Sequence, residues 1–132
     1  MSETRTFAVL VDNEPGVLAR VIGLFSGRGY NIESLTVTEV DDDANLSRIT
    51  IVTGGTTQVL IQIRNLLERL VPVHRVEDLT AVALANDLEP PVQRELALVK
   101  VVGAGDKRVE ALRIADIFKA EVVDTGLAHF VF

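Results

Sequence analysis

Residues 12–18, Asp-Asn-Glu-Pro-Gly-Val-Leu, decide the fold because they join a strand directly to a helix. Apolar side chains alternate through residues 7–12 before this stretch, as in a strand with one buried face. Pro15 suits a first helical turn, since its missing N–H would have no intrahelical partner there. Gly16 has no side chain, so an outside molecule can approach its backbone closely. The sequence predicts a helix N-terminus whose amides, at residues 16–18, suit a carboxylate or another small anion.

A plain strand-to-helix turn is the alternative reading of the same stretch. The side chains of Asn13 and Glu14 would then cap the helix by bonding to its first amides. The local sequence leaves both readings open.

Composition excludes several classes of function. The chain has 132 residues, of which 48% are apolar, enough for one domain or two small ones with packed cores. A net charge of −6 argues against nucleic-acid binding. We find no apolar run long enough to cross a membrane and no apolar signal-peptide core after Met1. The absence of cysteine excludes disulfides and thiolate sites and predicts a cytoplasmic protein.

The first part of the chain shows alternating helical and strand periodicities. After the opening strand, the pattern predicts a helix over 15–28, a strand over 32–40, a polar hairpin loop over 41–45, a strand over 46–53, a helix from Thr56 or Thr57 to Leu70 and a strand over 73–78. This order is that of an α+β ferredoxin-like βαββαβ sandwich. Its sheet has the strand order 4-1-3-2, with both helices on one face.

A second, shorter part repeats the opening pattern. The sequence predicts a linker over 81–93, a strand over 95–102, a helix over 107–119 and two short strands near 121–124 and 128–132. We therefore expect a first domain at 1–80 and an incomplete ferredoxin-like βαββ domain at 94–132. Such a half-domain leaves apolar sheet surface uncovered unless another chain covers it.

No metal site is predicted. Asp41, Asp43 and Asn45 resemble the start of a calcium loop, but Leu46 and Val52 occupy the positions that need Gly and Glu. The two histidines, His74 and His129, lack a second ligand at metal-binding spacing.

No catalytic residue is predicted either. Gly103 and Gly105 precede a helix, but Arg108 stands where a dinucleotide-binding motif needs its third glycine. Neither histidine pairs with a serine in a Gly-x-Ser-x-Gly element. An enzyme of unrecognised type stays open as an alternative, for which turnover by the isolated chain would be required.

Asn31 could complete the anion site from a second copy of the chain. The predicted second strand lies at a sheet edge, and edge strands of identical subunits can pair around a two-fold axis. Such pairing would bring Asn31 of one subunit near Gly16 of its partner. Amides from one side and an Asn carbonyl from the other could then hold a zwitterion. Without a dimer, Asn31 is an ordinary turn residue.

The sequence from Phe7 to Leu79, with Asn-Glu-Pro-Gly-Val-Leu at 13–18, resembles an ACT domain, a module that binds amino acids. The whole chain resembles the small regulatory subunit of acetolactate synthase. The matching segments are Arg-Gly-Tyr-Asn-Ile-Glu-Ser-Leu-Thr-Val at 28–37, Leu-Ser-Arg at 46–48, Arg-Glu-Leu-Ala-Leu-Val-Lys-Val at 94–101, Ile-Phe at 117–118 and Val-Val-Asp at 122–124.

This resemblance implies a non-catalytic subunit of branched-chain amino-acid (valine and isoleucine) biosynthesis. It would form a homodimer through its ACT domain, activate the large catalytic subunit and confer feedback inhibition by valine. Thiamine diphosphate, Mg and FAD would belong to that partner, with no cofactor on this chain. The implied effector site comprises Asn13, Gly16, Val17 and Leu18 of one subunit with Asn31 and Ile32 of the other.

Two departures from the family pattern concern the second domain. Family members normally continue for about another helix and strand beyond Phe132, and Lys119-Ala120 stands where Arg-Gly is usual. A free-standing ACT-type amino-acid sensor, acting on another enzyme or a transcriptional partner, is the alternative function.

Overall fold

A computed structural model describes residues 1–41 and 43–132; Asp42, part of the predicted hairpin loop, lies outside the described residues. The chain divides into two compact units, Met1–Pro91 and Val92–Phe132. Within the described residues, no helix is both long and apolar enough to cross a membrane.

The first unit is a ferredoxin-like sandwich. Its elements are β1 (Glu3–Asp12), α1 (Val17–Ser26), β2 (Ser34–Asp41), β3 (Leu46–Gly55), α2 (Thr57–Glu68), β4 (Val73–Asp78) and α3 (Leu79–Ala85). The four strands form one antiparallel sheet in the order β2-β3-β1-β4. This confirms the predicted order and places β2 at an edge.

The core of this unit follows from the alternation along β1. Phe7, Val9 and Val11 are buried together, and β3 contributes Ile49 and Ile51 at the paired positions or close by on the same face. The apolar stripes of the two long helices complete the cluster with Val17, Val21, Leu24 and Phe25 of α1 and Leu60, Ile63 and Leu67 of α2. Burial of these side chains is the main term that holds α1 and α2 on the sheet.

The sequence does not predict helix α3, because it places residues 81–85 in the linker. Its N-cap is Asp78, whose carboxylate accepts a hydrogen bond from the Ala81 amide at 2.8 Å. The same carboxylate accepts from Arg5 at 2.7 Å, and this hydrogen bond raises the pKa of the Arg5 guanidinium. A buried acid thus joins the start of β1 to the end of β4 and starts α3.

The second unit repeats the strand–helix–strand–strand order of the first. Its elements are β5 (Lys100–Val102), α4 (Asp106–Ile117), β6 (Asp124–Thr125) and β7 (His129–Val131). The strands form an antiparallel sheet in the order β5-β7-β6. Phe130 is buried, and the Arg108 guanidinium lies 4.0 Å from the centre of its ring.

Candidate functional site

The turn between β1 and α1 differs in one detail from the prediction. Helix α1 begins at Val17, not at Pro15, and Gly16 is its N-cap with φ +86°. Pro15 therefore belongs to the preceding turn, in which the Val17 amide donates to the Glu14 carbonyl at 3.3 Å. The left-handed backbone at Gly16 explains why a glycine is needed here, because residues with a Cβ are strained in that conformation.

This helix N-terminus is open. A Cβ added to Gly16 would meet no atom within 4 Å, and Gly16, as the N-cap, has no side chain that could bond to the first amides of α1. The Asn13 side chain bonds to Glu39 of β2. The first turn of an α-helix leaves amides without intrahelical acceptors, and the first turn of α1 carries no acidic residue. An anion could bind to the amides of this turn, which include that of Leu18.

Asn13 connects the turn to the hairpin of β2 and β3. Its amide donates to the Asn45 carbonyl at 2.8 Å, and its side-chain Nδ2 donates to Glu39 Oε1 at 2.7 Å. The Asn13 side chain thus contacts β2 and leaves its own Oδ1 as a further acceptor. These two bonds attach Asn13, three residues before Gly16, to the end of the β2–β3 hairpin.

Glu39 is a residue of the candidate site that the sequence does not predict. Leu35 and Val37 of β2 pair with buried residues of β3 and share the helix-facing side of the sheet, and Glu39 continues that alternation. The sequence signal for Glu39 is a charged residue at the end of an alternating apolar pattern. Its carboxylate lies next to Asn13, so the turn presents amides and one negative charge together.

A second contact holds the turn from the opposite side. The Asp12 amide donates to the Pro72 carbonyl at 2.9 Å, and Asp12 Oδ1 lies 2.5 Å from His74 Nε2. His74 itself is half exposed, in agreement with its reading as a surface histidine. The start of the turn is therefore attached to β4, while Asn13 is attached to β2 and β3.

Asn31 and Ile32 lie at the other end of β2. The Asn31 carbonyl accepts from the buried Thr53 hydroxyl at 2.6 Å, whereas Ile32 is half-buried against the core. Strand β2 has 8 residues and is about 23 Å long at about 3.3 Å per residue. Within one chain, then, the structure does not bring Asn31 and Ile32 together with Gly16.

We find no group of three or more His, Cys, Asp or Glu side chains that could hold a metal ion in the described part of the chain. His129 lies 3.5 Å from a single acid, Asp124.

Comparisons with known proteins identify the family. A family model described as an AHAS small subunit-like ACT domain matches residues 7–75, and a model described as the small subunit of acetolactate synthase matches residues 94–132. A probable acetolactate synthase small subunit of Archaeoglobus fulgidus is 45% identical over 128 residues, which cover 96% of this chain and 74% of that protein. The acetolactate synthase isozyme 3 small subunit of Escherichia coli is 48% identical over 120 residues, covering 91% and 69%.

Solved structures agree with these matches. The acetolactate synthase small subunit of Thermotoga maritima superposes with a TM-score of 0.75 at 25% identity, covering 98% of this chain and 76% of that one. The ACT domain of a GTP pyrophosphokinase from Chlorobium tepidum superposes with a TM-score of 0.52 at 16% identity, covering 60% of this chain and 88% of that domain, and supports the fold alone. The resemblance inferred from sequence is confirmed, and the chain belongs to the family of acetolactate synthase small subunits.

Proposed function

We propose that this chain is a non-catalytic regulatory subunit that activates the large subunit of acetolactate synthase and makes it sensitive to inhibition by valine. The observation that carries the proposal is the open N-terminus of α1 at Gly16, next to an edge strand. Family membership supplies the enzyme, and the geometry of the turn supports a small anionic effector.

The chemistry of the turn favours a zwitterion over a simple anion. The first-turn amides of α1 suit a carboxylate, and Gly16 allows close approach because a Cβ there would have open space around it. The Glu39 carboxylate beside Asn13 would repel a second negative charge but would attract an ammonium group. An α-amino acid carries both groups on the same carbon atom.

A homodimer would complete the site. If β2 pairs with its own copy around a two-fold axis, the two strands run antiparallel, so the start of one lies beside the end of the other. Asn31 and Ile32 of one subunit would then approach Gly16 of its partner. Val37 of β2 and Ile22 of α1 are 46% and 40% exposed, and burying them would favour such pairing.

The expected affinity is moderate. Charge-assisted hydrogen bonds contribute about 1.5–3 kcal/mol each, and the helix terminus adds about 0.3–1 kcal/mol. Burying the isopropyl group against Val17, Leu18 and Ile32 adds about 1.5–3 kcal/mol. After the costs of ordering, a Kd on the order of 10–100 μM follows, about −6 kcal/mol.

Regulation would work through the geometry of the dimer. Because two subunits would form each site, valine would bind the assembled pair and favour the arrangement that it fits better. The large subunit, which would hold the thiamine diphosphate, Mg and FAD, would respond to that arrangement. We assign effector binding and dimerisation to the first unit, Met1–Pro91, which includes helix α3.

The test is calorimetric titration of the purified chain with L-valine, with D-valine as the stereochemical control. Synthase assays of the large subunit, with and without this chain, accompany it. We expect saturable binding of L-valine, higher synthase activity with the chain, and inhibition by valine only when the chain is present. Asn13→Ala should lose valine inhibition but keep activation, whereas Asn86→Ala, which removes an exposed asparagine of α3's C-cap, should keep both. Equal synthase activity with and without the chain would contradict the proposal.

A further inference from the structure

We propose a second ligand site in the first unit, for a phosphate-bearing small molecule, in a hollow of about 300 Å³. It is lined by Arg28, Gln62, Asn65, Leu66 and Arg69. Arg28 follows the C-terminus of α1 and Arg69 is the C-cap of α2. Helix α1 has 10 residues and is about 15 Å long, so this basic hollow lies one helix length away from the Gly16 turn.

The charges in the basic hollow point to an anion. Its two arginines form no ion pair with any described residue, and no acid lines the hollow. The nearest acid in sequence, Glu68, is bonded to Arg64 at 3.0 Å. The chain as a whole carries a net charge of −6. Two unpaired cations on one small concave surface therefore favour an anion there despite the negative net charge of the chain.

The neutral groups in the basic hollow also offer donors. The Tyr30 hydroxyl donates to Gln62 Oε1 at 3.1 Å, which leaves the Gln62 Nε2 group as the free donor. Tyr30 is itself held against the buried Phe25 ring, with the ring centres 6.5 Å apart and the planes at 83°. Gln62 is thus oriented by the core before any ligand arrives.

The combination of groups favours phosphate. Each guanidinium can donate two parallel hydrogen bonds to an oxyanion, and Gln62 and Asn65 add amide donors. A phosphate group has more acceptor oxygens to match these donors than a single carboxylate has. Helix C-termini attract cations, which accounts for each arginine separately. That attraction does not account for two arginines and an oriented glutamine lining the same hollow.

Calorimetric titration of the full chain with sodium pyrophosphate, at constant ionic strength set with sodium chloride, tests this site. We expect saturable binding with one site per chain. Arg28→Gln and Arg69→Gln should each weaken it about tenfold or more, as expected for the loss of a charge-assisted hydrogen bond. The matched control is Arg94→Gln, which removes the same charge from an exposed position in the second unit and should leave the Kd unchanged.

Three results would overturn the site: no saturable binding to the wild type, wild-type affinity in both hollow variants, or equal weakening in Arg94→Gln. Equal weakening in Arg94→Gln would mean that pyrophosphate binding depends only on the net charge of the chain. Both arginines are exposed, so the variants should fold normally, and thermal unfolding of each variant checks this. Because Arg28→Gln and Arg69→Gln leave the Gly16 turn unchanged, weaker pyrophosphate binding in these variants is assigned to the basic hollow and not to the proposed effector site.

Discussion

Helices α1 and α4 both follow a glycine N-cap with positive φ, yet the charges of their first turns differ. Gly16 and Gly105 are both N-caps with positive φ, +86° and +59°, and a Cβ on either would meet no atom within 4 Å. The difference lies in the next residues. Helix α4 begins with Asp106, whereas the first turn of α1 has no acid. The α4 N-terminus thus carries its own carboxylate, and that of α1 is available to the carboxylate of another molecule.

The cores of the two units differ as well. In the first unit, α2 contributes Leu60, Ile63 and Leu67, each no more than 1% exposed. In the described residues of the second unit, no second helix follows the strand–helix–strand–strand pattern, and Phe118 at the end of α4 is 78% exposed. A single helix on a three-stranded sheet leaves much apolar surface in contact with water. The core of the first unit is thus closed by buried side chains from two helices, whereas α4 contributes only Ala115 to the buried residues described in the second unit.

The largest expected effect tests that difference in packing. Phe7→Ala should lower the free energy of unfolding by about 3–5 kcal/mol, because it opens a cavity in the core. Phe118→Ala, the same substitution at an exposed ring, should change it by no more than about 0.5 kcal/mol. Urea unfolding followed by far-UV circular dichroism measures both. Fluorescence of Tyr30, the single tyrosine in a chain without tryptophan, reports on the first unit. Equal losses would contradict the difference in burial.

The second prediction concerns the two glycine turns. Gly16→Asp should weaken L-valine binding at least about tenfold, because the new carboxylate repels that of the ligand and competes for the same amides. Gly105→Asp introduces the same charge, also at a glycine with positive φ, but at a turn outside the proposed effector site. It should bind valine as the wild type does. Calorimetry measures both affinities.

Matching losses of valine affinity in the two variants would mean that strain or net charge, and not the α1 turn, is responsible. Unchanged binding in Gly16→Asp would remove the turn from the proposed site while leaving the family assignment in place.

Sequence periodicity predicts much of this fold because β1, β3, α1 and α2 each have a clear buried face. The alternation along residues 7–11 and the apolar stripes of the two helices determine which side chains enter the core. The ferredoxin-like order of elements then determines the order of the strands in the sheet. The predicted start of α1 is two residues too early. Pro15 permits a first helical turn, but the left-handed conformation of Gly16 places the boundary after it.

Features that depend on pairing between distant segments were harder to predict. The bond between Asn13 and Glu39 joins residues 26 positions apart and follows from how the β2–β3 hairpin meets the end of β1. Helix α3 depends on Asp78 acting as a cap, whereas the polar and proline-rich residues that follow it resemble a linker. The Gly16 turn was recognisable because glycine, proline and the change of periodicity are all local signals.

A smaller effect is expected at the start of α2, the helix without a counterpart in the described part of the second unit. The Thr56 hydroxyl accepts a hydrogen bond from the Val59 amide at 3.3 Å as the N-cap. Thr56→Ala should lower the free energy of unfolding by about 1 kcal/mol. Gln58→Ala, at an exposed position in the same turn, should leave it within about 0.5 kcal/mol of the wild type. Urea titrations of the two variants decide whether the cap or the turn as a whole matters.

The smallest expected effect is a pH dependence of the free energy of unfolding. It arises from a contact between α2 and β1. The Thr57 hydroxyl donates to Glu3 at 3.0 Å and lowers the pKa of that carboxyl, and Arg5 lowers it further. A carboxyl with a lowered folded-state pKa stabilises the fold above its ordinary pKa of about 4.3 and loses that contribution as the pH falls. The wild type should therefore be slightly more stable than Glu3→Gln at neutral pH, and this gap should close below about pH 4. Glu95→Gln, which removes an exposed acid of the second unit, should follow the wild type throughout. Urea midpoints across the pH range measure the gap, and a gap that widens on acidification would contradict the assigned bonds to Thr57 and Arg5.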